Sequence, residues 1–263
     1  MILRRLLHWA GAASFRVRVN DEMLYLPRQL YGEVGVDLQL RTGTYFEVPV
    51  MEALRRVLSP GDCVFDAGCS YGILTCLMAR LVGREGNVHA FEANPAVLRW
   101  AEWIVKKNVA EGGVRIVHAC LAETSGGVAE FYAVPGKSSV ASTRNTDIRQ
   151  FHPDSEALPV PMLSLDDYCE REGIVPRCIK LDVEGSEFLV LKGATRLLHR
   201  HRPALLVETH GLEVDGIGGS VAELCAMLAS IGYVLKEPIS GRPVGVEEYT
   251  RGYSARIGYF LAE

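Results

Sequence analysis

The stretch Val64 to Gly72, V-F-D-A-G-C-S-Y-G, constrains this chain more than any other. Val64, Phe65 and Ala67, with Asp66 among them, predict the end of a short buried strand. Gly68 and Gly72 bracket a tight turn, and Ile73 to Leu81 (I-L-T-C-L-M-A-R-L) predicts a helix that opens straight from it. Glycine lets the backbone come close to a ligand, and a helix start offers N–H groups without intrahelical partners. That order suits a nucleotide-like ligand, although a glycine turn alone is weak ground, because ordinary strand-to-helix turns also carry glycines. Its neighbour strengthens it. Beyond Gly72, the apolar run N-V-H-A-F-E ends at Glu92, where an acid can take the two hydroxyls of a ribose.

The residues inside the turn select among nucleoside ligands. Dinucleotide sites want G-x-G-x-x-G, whose middle glycine admits the pyrophosphate. Here the run is G-C-S-Y-G, with Ser70 in the middle and Tyr71 before the last glycine, which crowds a pyrophosphate. Asp66 adds a carboxylate that repels a diphosphate and attracts an ammonium or a sulfonium. S-adenosyl-L-methionine carries both cations and a ribose, so the loop reads as a methyltransferase loop rather than a dehydrogenase loop.

At 263 residues the chain suits one large α/β domain with an extensive core. Its net charge of −4 argues against a general nucleic-acid binder. The 7 cysteines are scattered and never form C-x-x-C, so they predict buried free thiols in a reducing, cytoplasmic setting rather than a disulfide frame or zinc site.

Along the chain, Met1 to Ala13 predicts a helix packed on the domain, arginine-rich at its start and too short to span a bilayer, so no integral membrane segment is expected. It is also a candidate contact for a homo-oligomer. F-R-V-R-V and M-L-Y-L alternate around N-D as a hairpin. Residues 1–42 thus read as a helix and β-hairpin extension, and 43–263 as the main domain. A helix (V-P-V-M-E-A-L-R-R-V-L) precedes the first parallel strand. Asn94 and Pro95 start another helix, to about Glu111, with Trp100, Trp103 and Ile104 on its buried face. Val114 to Leu121 predicts a third strand, with His118 structural, and Val128 to Val134 an added β element. Polar, irregular residues 136–159 predict a substrate-facing cover loop. A strand and a helix capped by Ser164 follow.

The second landmark is Cys178 to Ala194. Ile179, Leu181 and Val183 form a strand that also carries Lys180, Asp182 and Glu184, and charge on a buried strand is costly unless it serves a site or pairs. Gly185 turns the chain into a helix from Glu187 to about His199. P-A-L-L-V-E-T-H is a fifth strand ending in Glu208 and His210. A helix, Y-V-L-K-E and a last strand A-R-I-G-Y-F-L-A-E complete a doubly wound sheet with one reversed edge strand.

The runs D-A-G-C-S-Y-G (66–72), F-E-A-N-P (91–95), S-L-D-D-Y (164–168), I-K-L-D-V-E-G-S-E (179–187), V-L-K-G-A (190–194) and R-P-A-L-L-V-E (202–208) resemble the FkbM-type methyltransferases, a branch of the class I S-adenosylmethionine-dependent enzymes. The likeness spans residues 43 to 210. Relatives usually carry alanine and asparagine where this chain has Cys69 and Ser70. The resemblance implies a seven-stranded Rossmann-like sheet and methylation of a hydroxyl on a sugar, polyketide or other secondary metabolite. It implies that Asp66, Gly68 and Gly72 hold the methionine end of the cofactor, with Ser70 and Tyr71 of the same turn also in the cofactor site. Glu92 with Ala93 would take the ribose, Cys120 with Leu121 would flank the adenine, and Glu47 sits where the family often has a glutamate.

In such sheets ligands bind beyond the carboxyl ends of the strands, which gathers Asp182, Glu184 and His210 around one crevice. A neutral alcohol must lose its proton as it is methylated, so Asp182 or His210 is the expected base, with Lys180 and Glu184 orienting. No metal is assigned. A lower-ranked alternative lets Asp182, Glu208 and His210 gather a divalent cation. Two other classes compete: an NAD-dependent oxidoreductase, which Ser70 and Asp66 oppose, and a non-catalytic S-adenosylmethionine-binding protein, which the acceptor-side charges oppose.

Overall fold

Two apolar runs, V-F-D-A and C-I-K-L, set the centre of the sheet, and a computed structural model shows how the rest is arranged around them. It describes residues 14–19, 21–30, 47–110, 113–134, 137–142, 153–210, 220–253 and 257–263. The helix expected over 1–13, with its oligomer contact, and positions 143–152 of the expected cover loop lie outside these residues.

In chain order the elements begin with β1 (Ser14–Val19), β2 (Glu22–Pro27), α1 (Val48–Val57), β3 (Cys63–Ala67) and α2 (Ile73–Val82). There follow β4 (Asn87–Glu92), α3 (Pro95–Asn108), β5 (Val114–His118), β6 (Cys120–Leu121), β7 (Val128–Val134), β8 (Lys137–Ser142) and β9 (Glu156–Leu163). Next are α4 (Leu165–Glu172), β10 (Cys178–Leu181), α5 (Glu187–Lys192), α6 (Thr195–His201) and β11 (Ala204–His210). The chain ends with α7 (Val221–Ile231), β12 (Leu235–Lys236), α8 (Val246–Tyr253) and β13 (Ile257–Ala262).

A 7-stranded sheet runs in the order β12-β13-β11-β10-β3-β4-β5. Strands β11, β10, β3, β4 and β5 are parallel, while β13 lies antiparallel between β11 and β12, as the sequence predicts. Continuous burial of β3 and β10 is what a parallel sheet covered on both faces requires. One face packs against α4 to α8, the other against the β1–β2 hairpin and α1 to α3. The chain proceeds from β3 outward to β5 on one side and occupies β10 and β11 on the other, so a switch point lies between β3 and β10.

Four expectations change. The strand predicted over 114–121 breaks at Ala119, whose N–H bonds Glu92 O at 3.1 Å, and Cys120 and Leu121 pair instead with Met162 and Leu163 of β9. An apolar run does not reveal where a strand changes partner. The irregular loop predicted over 136–159 contains β8 and the start of β9, both paired with β7 in a second, 4-stranded sheet β6-β9-β7-β8. Pro159 and Pro161 disguised β9, and cross-strand pairing overrode weak local propensity. The helix predicted from 187 to 199 is two helices, broken at Gly193 and Ala194. A Cβ on Gly193 would lie 2.1 Å from Ala122 O, so the break seats the residue after β6. Finally, α3 ends at Asn108 and turns Trp103 to solvent, while Ile104 is buried as expected. All 7 cysteines are free thiols. Among the described residues no helix is long and apolar enough to cross a membrane.

Candidate active site

The turn from β3 into α2 is built on left-handed backbone. Gly68, Ser70 and Gly72 have φ of 80°, 48° and 74°. Gly68 is obligatory for a second reason: a Cβ there would lie 1.7 Å from Asp182 O, where β10 leaves the sheet. Its N–H and that of Cys69 both bond Phe91 O, tying the turn to β4. Tyr71 packs into the core beside the hairpin, and Ser70 stays exposed.

Glu92 stands at the end of β4 against this turn. Its Oε2 accepts from Ser70 N at 2.9 Å and its Oε1 from Asn94 N at 2.7 Å. Each carboxylate oxygen keeps acceptor capacity for a further hydroxyl. Burial raises the Glu92 carboxyl above its ordinary range, and the N–H bonds from Asn94 and Ser70 oppose that rise. Next along, Ala93 packs against a small cluster of Cys120, Phe131 and Val160, whereas Leu121 belongs to the main core.

Below the turn lies a buried ionic group created by strand register. Lys180 of β10 pairs directly with Asp66 of β3. Its Nζ donates to Gly68 O at 3.1 Å and to Asp182 Oδ2 at 3.2 Å, and stands 3.8 Å from Asp66 Oδ1. Thr75, in the first turn of α2, donates to Asp66 Oδ2 at 2.5 Å. Burial disfavours the ammonium of Lys180, but Asp182, Asp66 and Glu47 outweigh it and hold the lysine charged above its ordinary range. Burial also raises Asp66 against the pull of Lys180, and pushes Glu47 up to about 7 against the same pull. Glu47 is held at φ 43° at the start of α1. Among the described residues, Asp66 Oδ1 and Glu47 Oε2 are buried with no hydrogen-bond partner. Two orphaned carboxylate oxygens beside a glycine turn fit a ligand that brings positive N–H donors, as the methionine end of S-adenosylmethionine does.

A second group gathers at the ends of β10 and β11. His210 is 2% exposed and Glu187, opening α5, is 1% exposed. Nδ1 of His210 lies 3.0 Å from Glu187 Oε1, which also accepts from Val183 N at 3.2 Å and Gly185 N at 3.0 Å. Nε2 of His210 faces Glu184 Oε2 at 3.4 Å and Asp182 Oδ1 and Glu208 Oε1 at 3.9 Å each. Burial disfavours the imidazolium, but the bond to Glu187 and the charges of Glu187, Glu184 and Asp182 outweigh it and raise His210 to about 9. Burial and the charge of Asp182 raise the Glu208 carboxyl, and the Tyr259 hydroxyl, its partner across β11 and β13, hydrogen-bonds it.

The structure therefore brings Asp182, Glu184 and His210 together, and places Lys180 with Asp66 on the glycine-turn side of Asp182. Asp182 belongs to both groups. Ligand atoms of Asp182, Glu208 and His210 come within 4.8 Å of one another, although acidic groups often gather so without an ion. The sequence placed Glu208 only in the alternative cation group, and Glu187 and Tyr259 in no site at all. Glu208 and His210 are two apart on a strand and so share a face, a signal that was present. Glu187 looked like an ordinary first-turn acid of a helix, and nothing local ties Tyr259 to β11.

The sequence profile of the Methyltransferase FkbM domain matches residues 66–235, well over half of the chain. No functionally curated protein shows significant similarity to the sequence. Among solved structures, an FkbM methyltransferase from Methylobacillus flagellatus KT is similar at 16% identity and a TM-score of 0.49, over 89% of this chain and 57% of that one. The chain thus spans little more than half the length of that protein. A precorrin-6y methyltransferase from Geobacter metallireducens aligns at 15% identity and a TM-score of 0.46, over 83% of this chain and 88% of that one. Fibrillarin from Aeropyrum pernix, with natively bound S-adenosyl-L-methionine, aligns at 14% identity and a TM-score of 0.41, over 96% of this chain and 82% of that one. The profile match and the doubly wound sheet give one conclusion: the chain belongs to the FkbM family of S-adenosylmethionine-dependent methyltransferases.

Proposed function

We propose that the protein transfers a methyl group from S-adenosylmethionine to a hydroxyl of a small acceptor, a sugar, polyketide or other secondary metabolite, in the cytoplasm. The observation that carries this is the position of His210 Nε2, buried among Asp182, Glu184 and Glu208 beside the Lys180 group. When bound, the cofactor would supply an electrophilic methyl group, with the neutral thioether of S-adenosylhomocysteine as its leaving group. Asp66 and Glu47 offer their orphaned oxygens to its cationic end. Glu92 takes the ribose hydroxyls with Ala93 beside it, and Cys120 borders the base. Gly68 and Gly72 keep the turn free of side chains, with Ser70 and Tyr71 shaping it. Asp182 and Glu184 orient the acceptor, and the proton lost from its oxygen is taken up within the His210 group. Most of the rate comes from holding acceptor oxygen and methyl in line.

Calorimetric titration with S-adenosylhomocysteine, beside an NADH control, tests the cofactor half on wild type and Glu92→Ala. Binding in the wild type that is lost in the variant, with no NADH signal, is the expected result. An NADH signal would instead support a dehydrogenase, a reading that Ser70 and Asp66 oppose.

A further inference from the structure

We propose that Glu187 is the positioning residue of this site: its carboxylate fixes the His210 ring so that Nε2 faces the crevice, making His210 rather than Asp182 the group that receives the acceptor proton. The role of His210 rests on the methyl-transfer reading; the way Glu187 holds it does not.

Three observations converge. An ionised carboxylate only accepts hydrogen bonds, so the 3.0 Å contact from His210 Nδ1 to Glu187 Oε1 puts a hydrogen on Nδ1 and leaves Nε2 as the atom that exchanges a proton. The same oxygen accepts from Val183 N and Gly185 N. It thereby closes the turn in which Glu184 and Gly185 take φ of 54° and 98°. One atom thus locks the segment carrying Asp182 and Glu184 to the last residue of β11. Third, Asp182 is engaged elsewhere, with Oδ2 held at 3.2 Å by Lys180, itself bonded to the glycine turn through Gly68 O. Asp182 therefore serves the ionic group on the cofactor side, while His210 Nε2 stands at ion-pair distance from Glu184, Asp182 and Glu208. In the transfer step the proton leaves the acceptor oxygen for Nε2, and passes to water after product release.

The test uses the full chain with nitrogen-15-labelled histidine. Wild type should show a downfield ring N–H proton, slowed in exchange by burial, that disappears in His210→Asn and survives in Glu184→Gln. In Glu187→Gln it should move upfield or vanish, while S-adenosylhomocysteine still binds as in wild type, showing that the fold is kept. If the glutamine variant does not fold, Glu187→Asp, one methylene too short for the contact, should give the same loss. A resonance unmoved in either variant, or absent from wild type, overturns the proposal. So does full turnover by Glu187→Gln on an acceptor that wild type methylates. Failure of wild type to bind S-adenosylhomocysteine would instead defeat the methyl-transfer reading and leave the ring assignment standing.

Discussion

The two charged groups that meet at Asp182 solve the same problem in different ways. On the glycine-turn side, one lysine stands among three carboxylates and is anchored by the backbone at Gly68 O, so the group is strongly ionic. At the ends of β10 and β11, one histidine faces four carboxylates, and its charge can be withdrawn. A fixed cation suits the permanent electrostatics of cofactor binding, whereas a titratable one suits proton transfer. The comparison assigns different consequences to loss of each.

Removing the fixed cation should have the largest effect. Lys180→Met removes the cation that Asp66, Asp182 and Glu47 share, and a broken buried pair costs about 3–5 kcal/mol. Chemical denaturation should show that loss at pH 8, with much of it recovered at pH 5 as the carboxyls take up protons. A loss that does not depend on pH would show that packing, not charge, dominates there.

Next comes the titratable side. His210→Asn should lower kcat about 100-fold, the low end for a general base, with S-adenosylhomocysteine affinity intact. An equal fall in affinity would erase the distinction between the two groups.

The pH profile sharpens the same point. A base must be neutral to act, so kcat/KM should rise with pH and level off above about 9, the value to which His210 is raised. The stability consequence has the opposite sign. A histidine whose pKa is raised on folding stabilises fully below its unfolded value near 6.5, and that contribution is lost as pH rises through about 9. Thermal unfolding of wild type and His210→Asn across that window should converge at its alkaline end.

Glu47 should give the smallest effect. Its folded pKa of about 7 lies above the ordinary 4.5, so its ionisation weakens the fold as pH rises between those values. Glu47→Gln should therefore be slightly more stable than wild type at pH 8, yet bind the cationic cofactor less well. Unchanged cofactor affinity would remove Glu47 from the site.

The same contrast explains what was legible in the sequence. The glycine turn, the acid ending β4 and the charges on β10 are local signals, since each rests on a spacing of a few residues in a buried strand or a tight turn. They located the centre of the sheet, β3 beside β10. The acceptor side depends on distant pairings: Glu187 reaches His210 across 23 positions, and Tyr259 reaches Glu208 through an antiparallel register. The second sheet was hidden for a similar reason, because β8 and β9 gain their order from β7 rather than from their own composition.

The most direct test of the account is transfer of a tritiated methyl group from S-adenosylmethionine to a panel of hydroxylated sugars and polyketides, with wild type and His210→Asn run side by side. The account predicts label in an acceptor ether, nearly abolished in the variant. Label on nitrogen or carbon, or equal labelling by both proteins, would contradict it.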